Sequence, residues 1–147
     1  MTSASYTVVL VTGDPLYGAR LRRAFIKGGR GVCLFLAGSG ANTNDLPPVQ
    51  AQTYPRPHVF LLDLDLPWDE AIASLSWLRK RPEFADVPVV ALARQGETEI
   101  VKGVYRGGAN ACVLKPMTEK EMREIASGIG DYAYLLQIKP SESLVWA

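Results

Sequence analysis

Pro57-His58-Val59-Phe60-Leu61-Leu62-Asp63-Leu64-Asp65-Leu66-Pro67 is the stretch whose reading decides the fold. Five of the six residues from Val59 to Leu64 are apolar, and the sixth, Asp63, is a carboxylate. A short apolar run without strict alternation suits a central strand buried on both faces, as in a parallel sheet. The strand gives out at Asp63, and Pro67 closes the segment because it has no N–H to offer a ladder. A carboxylate at the C-terminal end of a central parallel strand lies where open α/β sheets place their ligands. On this segment alone the other reading, that Asp63 ends a strand and caps a turn, stays open.

Upstream, Tyr6 to Thr12 is a β-branched run that reads as a first buried strand. Gly13-Asp14-Pro15 follows, with Asp14 as N-cap and Pro15 at the first helical position. Tyr17, Leu21, Ala24 and Phe25 recur at helical spacing, Arg20, Arg22, Arg23 and Lys27 take a solvated side, and Gly28-Gly29 stops the helix. Val32 to Leu36 gives a second strand. From Ala37 to Arg56 the chain is rich in Gly, Asn, Pro and Gln, and reads as a long loop with a short helix near Asp45 to Gln52.

Downstream, Trp68 to Lys80 places Ile72, Leu75 and Leu78 on one helical face. After a connector through Asp86, Val87 to Ala93 is the fourth strand. Glu97 to Arg106 is a helix carrying Ile100, Val101 and Val104, ended by Gly107-Gly108. Asn110 to Leu114 is the fifth strand. Thr118-x-x-Glu121 is a capping box that opens a helix on Met122, Ile125, Ile129, Tyr132 and Leu136. The order is βα repeated five times, which predicts a parallel sheet with helices on both faces and right-handed crossovers. It reads as one domain, residues 1–147, with a core over about 6–128 and a helical extension over about 129–147.

Composition narrows the function classes. Lys+Arg 16 against Asp+Glu 15 gives a net charge of +1 in 147 residues, no electrostatic footprint for nucleic acid or an anionic membrane. No apolar stretch approaches the roughly 20 residues of a membrane span, and the first residues lack the pattern of a signal peptide. Cys33 and Cys112 each lie in an apolar run, which predicts free buried thiols and a reducing, cytoplasmic setting. The single histidine, His58, and the unpaired cysteines exclude a zinc-type cluster.

In such a sheet the C-terminal strand ends converge, so Asp14, Asp63, Ala93 and Lys115-Pro116 should be neighbours despite their separation in the chain. Here the chain resembles the receiver domain of two-component response regulators. The matching pieces are Val8-Val9-Leu10-Val11 with Asp14-Pro15, Leu61-Leu62-Asp63-Leu64-Asp65-Leu66-Pro67, Pro88-Val89-Val90-Ala91-Leu92, and Gly108 through Pro116. Pro82 to Pro88 and the C-terminal extension also look like the small receivers that partner phytochrome-type kinases. The resemblance implies a flavodoxin-like α/β fold, a doubly wound parallel sheet of strand order 2-1-3-4-5. It also implies that Asp63 takes a phosphoryl group from a kinase histidine and that Lys115 pairs with the acyl phosphate. A carboxylate nucleophile flanked by cations suits that transfer.

The chain departs from the family's pattern at three of its five functional positions. Receivers carry two adjacent acids after the first strand that help hold Mg²⁺; here Thr12 and Gly13 take those places and Asp14 falls one residue late. Magnesium needs oxygen ligands in near-octahedral geometry, and Asp63 is the one assured carboxylate. Binding is therefore expected to be weak or absent, with Asp14 a substitute ligand only if the turn is distorted. The Thr or Ser expected at the end of the fourth strand is Ala93, which has no hydroxyl to donate, and Arg94 follows where a small residue is usual. The aromatic expected on the fifth strand is Cys112, read as core packing. Without a divalent ion, Lys115 should pair directly with Asp63, and Arg94 either adds charge to the same pocket or points to solvent. Asp65 should offer its backbone carbonyl, with its side chain only solvated.

The expected function is an atypical receiver acting mainly as a protein-interaction module, with impaired Mg²⁺-dependent phosphorylation at Asp63. Its partners would be a histidine kinase or a downstream signalling protein, and neither nucleic acid nor membrane. The fourth helix, fifth strand and fifth helix would form its contact face. Residues 130–136 either extend the last helix to pair with a second copy or cover the chain's own core. Two alternatives are a conventional phospho-accepting receiver and a small flavodoxin-like enzyme or nucleotide binder. The absence of a Gly-x-Gly-x-x-Gly loop after the first strand argues against the last.

Overall fold

The computed structural model describes residues 6–28, 32–37, 57–65, 68–94 and 98–135. Its elements run β1 (Tyr6–Val11), α1 (Pro15–Gly28), β2 (Val32–Ala37), β3 (Val59–Asp63), α2 (Trp68–Lys80), β4 (Val89–Ala93), α3 (Thr98–Arg106), β5 (Ala111–Leu114) and α4 (Glu119–Leu135). The expected short helix between the second and third strands falls outside the described residues. The helices expected fourth and fifth are therefore α3 and α4.

The described strands form a five-stranded sheet of order β2-β1-β3-β4-β5 with every pairing parallel, the flavodoxin-like topology. All five residues of β3 are buried, as are all five of β4 and all six of β1. Alternate residues supply two apolar layers. Val8, Leu10, Val59, Leu61, Val90 and Leu92 face α1 and α4, where Leu21, Phe25, Met122 and Ile129 complete the layer. Val9, Val11, Phe60, Leu62, Val89 and Ala91 face the other side, against Leu75 and Leu78 of α2 and Val104 of α3. A fully buried leucine such as Leu10 or Leu61 contributes about 1.5–3 kcal/mol to that packing. The core therefore lies on both faces of β1 and β3.

Capping chemistry sets the helix starts. Asp14 Oδ1 accepts the N–H groups of Leu16 (3.0 Å) and Tyr17 (3.1 Å), with Pro15 at the first helical position. Thr118 Oγ1 accepts the Glu121 N–H at 3.1 Å, and Glu121 Oε1 accepts the N–H groups of Thr118 (3.2 Å) and Met117 (2.9 Å), the reciprocal capping box. At the end of α3 the Ala109 N–H reaches Val104 O (2.9 Å) and the Gly108 N–H reaches Tyr105 O (3.0 Å). This 6→1 and 5→2 pair is a Schellman stop, and Gly108 supplies the positive φ it requires, 112°.

Several expectations needed correction. The fourth strand starts at Val89 rather than Val87, and the fifth at Ala111 rather than Asn110. On α2 the buried stripe is Ala71, Ser74, Leu75 and Leu78, the i, i+3, i+4, i+7 face. Ile72 lies on its shoulder and is half-buried, as are Ile100 and Val101 on α3. Both cysteines are free, but Cys33, on the edge strand β2, is exposed and Cys112 is half-buried. Leu136 falls outside the described residues. No described helix is long and apolar enough to cross a membrane.

Candidate functional site

The ends of β1, β3, β4 and β5 meet at one edge of the sheet, and the register fixes how. Asp63 lies beside Leu92, and Ala93 lies beside Leu114. The Leu64 N–H donates to Leu92 O at 2.9 Å, and the Lys115 N–H to Ala93 O at 2.7 Å. These bonds carry the ladder one residue past β3 and β5, which brings the side chains of Asp63, Asp65, Arg94 and Lys115 together.

Asp63 is 1% exposed, and partners hold both of its carboxylate oxygens. Oδ2 accepts the Thr12 hydroxyl at 2.7 Å and the Lys115 ammonium at 3.2 Å. Oδ1 takes the Asp65 N–H at 3.0 Å and lies 3.1 Å from the same ammonium. Lys115 is itself 6% exposed. Its Nζ also bonds Asp65 Oδ2 at 2.5 Å and lies 4.2 Å from the centroid of the Tyr17 ring, a cation–π contact. Tyr17 is fixed there because its hydroxyl donates to Pro116 O at 2.8 Å. Arg94 closes the chain of charges from outside, with Nε 2.7 Å from Asp65 Oδ2 and a side chain 62% exposed.

The result is an alternating series, Asp63, Lys115, Asp65, Arg94, in which two carboxylates meet two cations. An isolated buried carboxylate is costly, and a buried pair is sustained only when its remaining lone pairs are filled. Thr12 and the Asp65 N–H fill those of Asp63. Burial pushes the Asp65 carboxyl up, but the hydrogen bonds and charges of Lys115 and Arg94 outweigh it and hold the group below its ordinary value. The hydrogen bond to Asp65 and its charge push the Arg94 guanidinium up. Burial first, then the Asp63 charge, pushes the Tyr17 phenol well above its ordinary value, against the opposing charge of Arg20.

The site brings together Asp63, Lys115, Asp65 and Arg94. Ala93 is buried at the end of β4 beside them. Asp14 is turned away: its Oδ1 is engaged by the first turn of α1, and its own N–H donates to Thr12 Oγ1 at 3.1 Å. Cys112 packs half-buried against the α2/α3 layer, and burial pushes its thiol up. The expectation for Asp65 was wrong in one respect. Its side chain is not merely solvated but is the shared acceptor of both cations, because the turn after β3 folds back over Asp63. Arg94 points into the charge network rather than to solvent alone.

Two further residues were not legible as site residues. Thr12 stood out only as a missing acid, although a hydroxyl at a strand end beside a carboxylate strand is a signal that could have been read. Tyr17 looked like one more apolar position of α1, and nothing in its spacing marks it as the wall of the Lys115 site.

The donor set does not fit a magnesium ion. Thr12 is neutral and donates its proton to Asp63, Asp14 is committed to α1, and Asp65 is committed to two cations. One carboxylate remains, and it already holds an ammonium, which falls short of the oxygen-rich octahedron the ion requires. Among the described residues no group of three or more His, Cys, Asp and Glu side chains is placed to hold a metal. Chemically, both oxygens of the Asp63 carboxylate are occupied by bonds from the protein. The same contacts make a strong clamp across four strand ends.

Comparison with known proteins gives one family. The response regulator receiver domain matches residues 8–127. The chain is similar to a protein described as the probable C4-dicarboxylate response regulator DctR of Priestia megaterium, 26% identical over 84% of this chain and 51% of that protein. It is also similar to the phosphate regulon transcriptional regulatory protein PhoB of Escherichia coli, 34% identical over 54% of this chain and 38% of that protein. The chain thus spans about half the length, or less, of these curated relatives. Among solved structures, the phosphorylated cyanobacterial phytochrome response regulator RcpA superposes with a TM-score of 0.71 at 19% identity, covering 92% of this chain and 98% of that one.

Proposed function

Because the chain belongs to the response regulator receiver domain family and is a module of two-component signalling rather than an enzyme, we propose that it signals by protein contact with little or no phosphorylation at Asp63. In this reading residues 1–147 form a single receiver domain of the cytoplasm. Its partners are a histidine kinase or a downstream signalling protein, met through the face of α3, β5 and α4, which also pairs two copies of the chain. Asp63 and Lys115 hold the positions of phospho-acceptor and phosphate partner, but as a structural ion pair.

The observation that carries this reading is the saturation of Asp63. Each carboxylate oxygen already accepts a bond from the protein, one from the Thr12 hydroxyl and one from the Asp65 N–H, and both face the Lys115 ammonium. Attack on a phosphoryl group needs a free oxygen, and the transferring oxygens need cations to neutralise them. Here Lys115 and Arg94 are spent on Asp63 and Asp65, and Thr12, engaged with Asp63, brings no negative charge to a metal ion. Arg94 stands in for part of the missing ion by supplying fixed positive charge to Asp65.

A second reading, the conventional phospho-accepting receiver, is favoured by one feature: Asp63 and Lys115 sit at matching strand ends within 3.1 Å. The two readings separate by intact mass after treatment with acetyl phosphate and Mg²⁺, beside an Asp63→Asn control. The proposal expects unchanged mass in both proteins. A single phosphoryl adduct on the wild type, absent from the control, would replace it with the second reading.

A further inference from the structure

Away from the charge network, a cleft between α1 and α4 is lined mainly by cations. Its walls carry Arg20, Arg23 and Lys27 from α1 and Arg123 from α4, and Glu119 is the single acid among them. Four cations against one acid is an excess of three in a chain whose whole net charge is +1, so everything outside the cleft is net negative by two. Among the described residues no acid forms an ion pair with Arg23, Lys27 or Arg123. Arg20 donates one bond to Met117 O at 3.1 Å, which ties the rim of the cleft to the turn before α4. Three unneutralised cations converging on one concave surface repel one another, and an anionic occupant relieves that repulsion.

The shape narrows the occupant. Arg20, Arg23 and Lys27 follow i, i+3, i+7 spacing, so they form a single stripe along α1. Seven residues of helix span about 10 Å, two turns of a facing helix. The floor is apolar, made by the buried side chains of Ala24 and Met122. A cationic stripe above an apolar floor fits an amphipathic helix that presents acids on its edges and a short apolar side chain between them. A nucleic acid backbone fits less well, because its affinity grows with the number of phosphates neutralised along an extended track. Its sugar–phosphate also has nothing to place against Met122.

We infer that the α1–α4 cleft is a docking groove for an acidic amphipathic helix of a partner protein. The inference stands on the groove alone and does not depend on whether Asp63 is phosphorylated.

The test uses a fluorescein-labelled helical peptide with glutamates at i, i+3 and i+7 and a leucine between them, followed by fluorescence anisotropy against the full chain. The expected result is saturable binding that weakens as salt is raised. Arg23→Glu/Lys27→Glu should weaken it at least tenfold. Lys80→Glu, an equal charge step per site at the exposed end of α2, should leave it unchanged. A matching peptide with lysines in place of the glutamates should bind the Arg23→Glu/Lys27→Glu protein better than the wild type. Thermal melts show whether that variant folds, and Arg123→Glu serves if it does not. Equal binding by wild type, groove variant and Lys80→Glu would overturn the inference. So would single-stranded oligonucleotide displacing the peptide at lower concentration than the unlabelled peptide does. A second copy of the chain as occupant would appear as concentration-dependent self-association abolished by Arg23→Glu/Lys27→Glu, and it too would overturn it.

Discussion

Removing the Lys115 ammonium leaves the Asp63 carboxylate buried without a counter-charge. Breaking a buried pair from one side costs about 3–5 kcal/mol, so Lys115→Met should lower the urea midpoint sharply. Asp63→Asn should cost less, because it removes the buried charge itself: the amide oxygen can take the Asp65 N–H, the amide NH2 can donate to a Thr12 hydroxyl turned to accept, and Lys115 keeps Asp65. Thr12→Val tests the neutral partner: it keeps the shape but strips a 2.7 Å bond from a buried carboxylate, a loss of about 1–3 kcal/mol. The exposed end of the network answers to pH instead. The Asp65 carboxyl titrates below its ordinary value of 3.8 in the folded chain. Its contribution is therefore complete above that value and is lost as pH falls through it toward the lower folded-state value. Urea unfolding measured between neutral pH and the acid range should show that loss, and Asp65→Asn should remove that part of the slope. An unchanged slope in the variant would mean that Lys115 and Arg94 do not hold Asp65 as described.

Between elements, Arg79 of α2 takes the part that Lys115 takes at the site edge. Its guanidinium donates to Gly108 O (3.0 Å), Phe84 O (3.2 Å), Ala85 O (3.1 Å), Val87 O (2.9 Å) and Asn110 Oδ1 (2.7 Å). Asn110 Oδ1 also accepts the Val89 N–H at 2.8 Å, so one arginine fastens the connector before β4 and the turn before β5. Arg79→Lys keeps the charge but not the planar fork, and several carbonyls lose their donor. About 1–3 kcal/mol of stability should go with them, read from urea unfolding. Two glycines give opposite signs on the same assay. An alanine at Gly108 would be forced to φ 112°, with its Cβ 2.9 Å from Arg79 Cγ, and should destabilise. At Gly128 in α4 a Cβ meets nothing within 4 Å, so Gly128→Ala should stabilise by up to about 1 kcal/mol.

At the scale of the molecule, what could be read in advance follows from what depends on one segment and what depends on several. The apolar run ending at Asp63, the Asp14-Pro15 start and the Thr118/Glu121 box are local, and each described element starts within two residues of its expected start. The convergence of Asp63 and Lys115 was also readable, because strand order alone dictates it. Thr12, Tyr17 and the side chain of Asp65 gained their roles only when four strand ends met, and no single segment encodes that. Cys33 came out exposed because an apolar run does not say which strand will be the edge. The same edge logic bears on assembly. Among the described residues β5 pairs only with β4; its own Leu114 is 69% exposed, and Val113 of β5 and Tyr105 of α3 are also exposed. An open strand edge invites another chain, but here the Cys112 N–H already donates to the Tyr105 hydroxyl at 3.1 Å. Pairing of two copies on this face should therefore run through side chains rather than strand addition. Sedimentation equilibrium of the wild type should show a dimer, and Leu114→Glu should shift it to monomer. Because Leu114 is exposed, the monomer's own stability should change by only about 0.5 kcal/mol. A wild type that sediments as a monomer at every concentration would assign this face to a different protein.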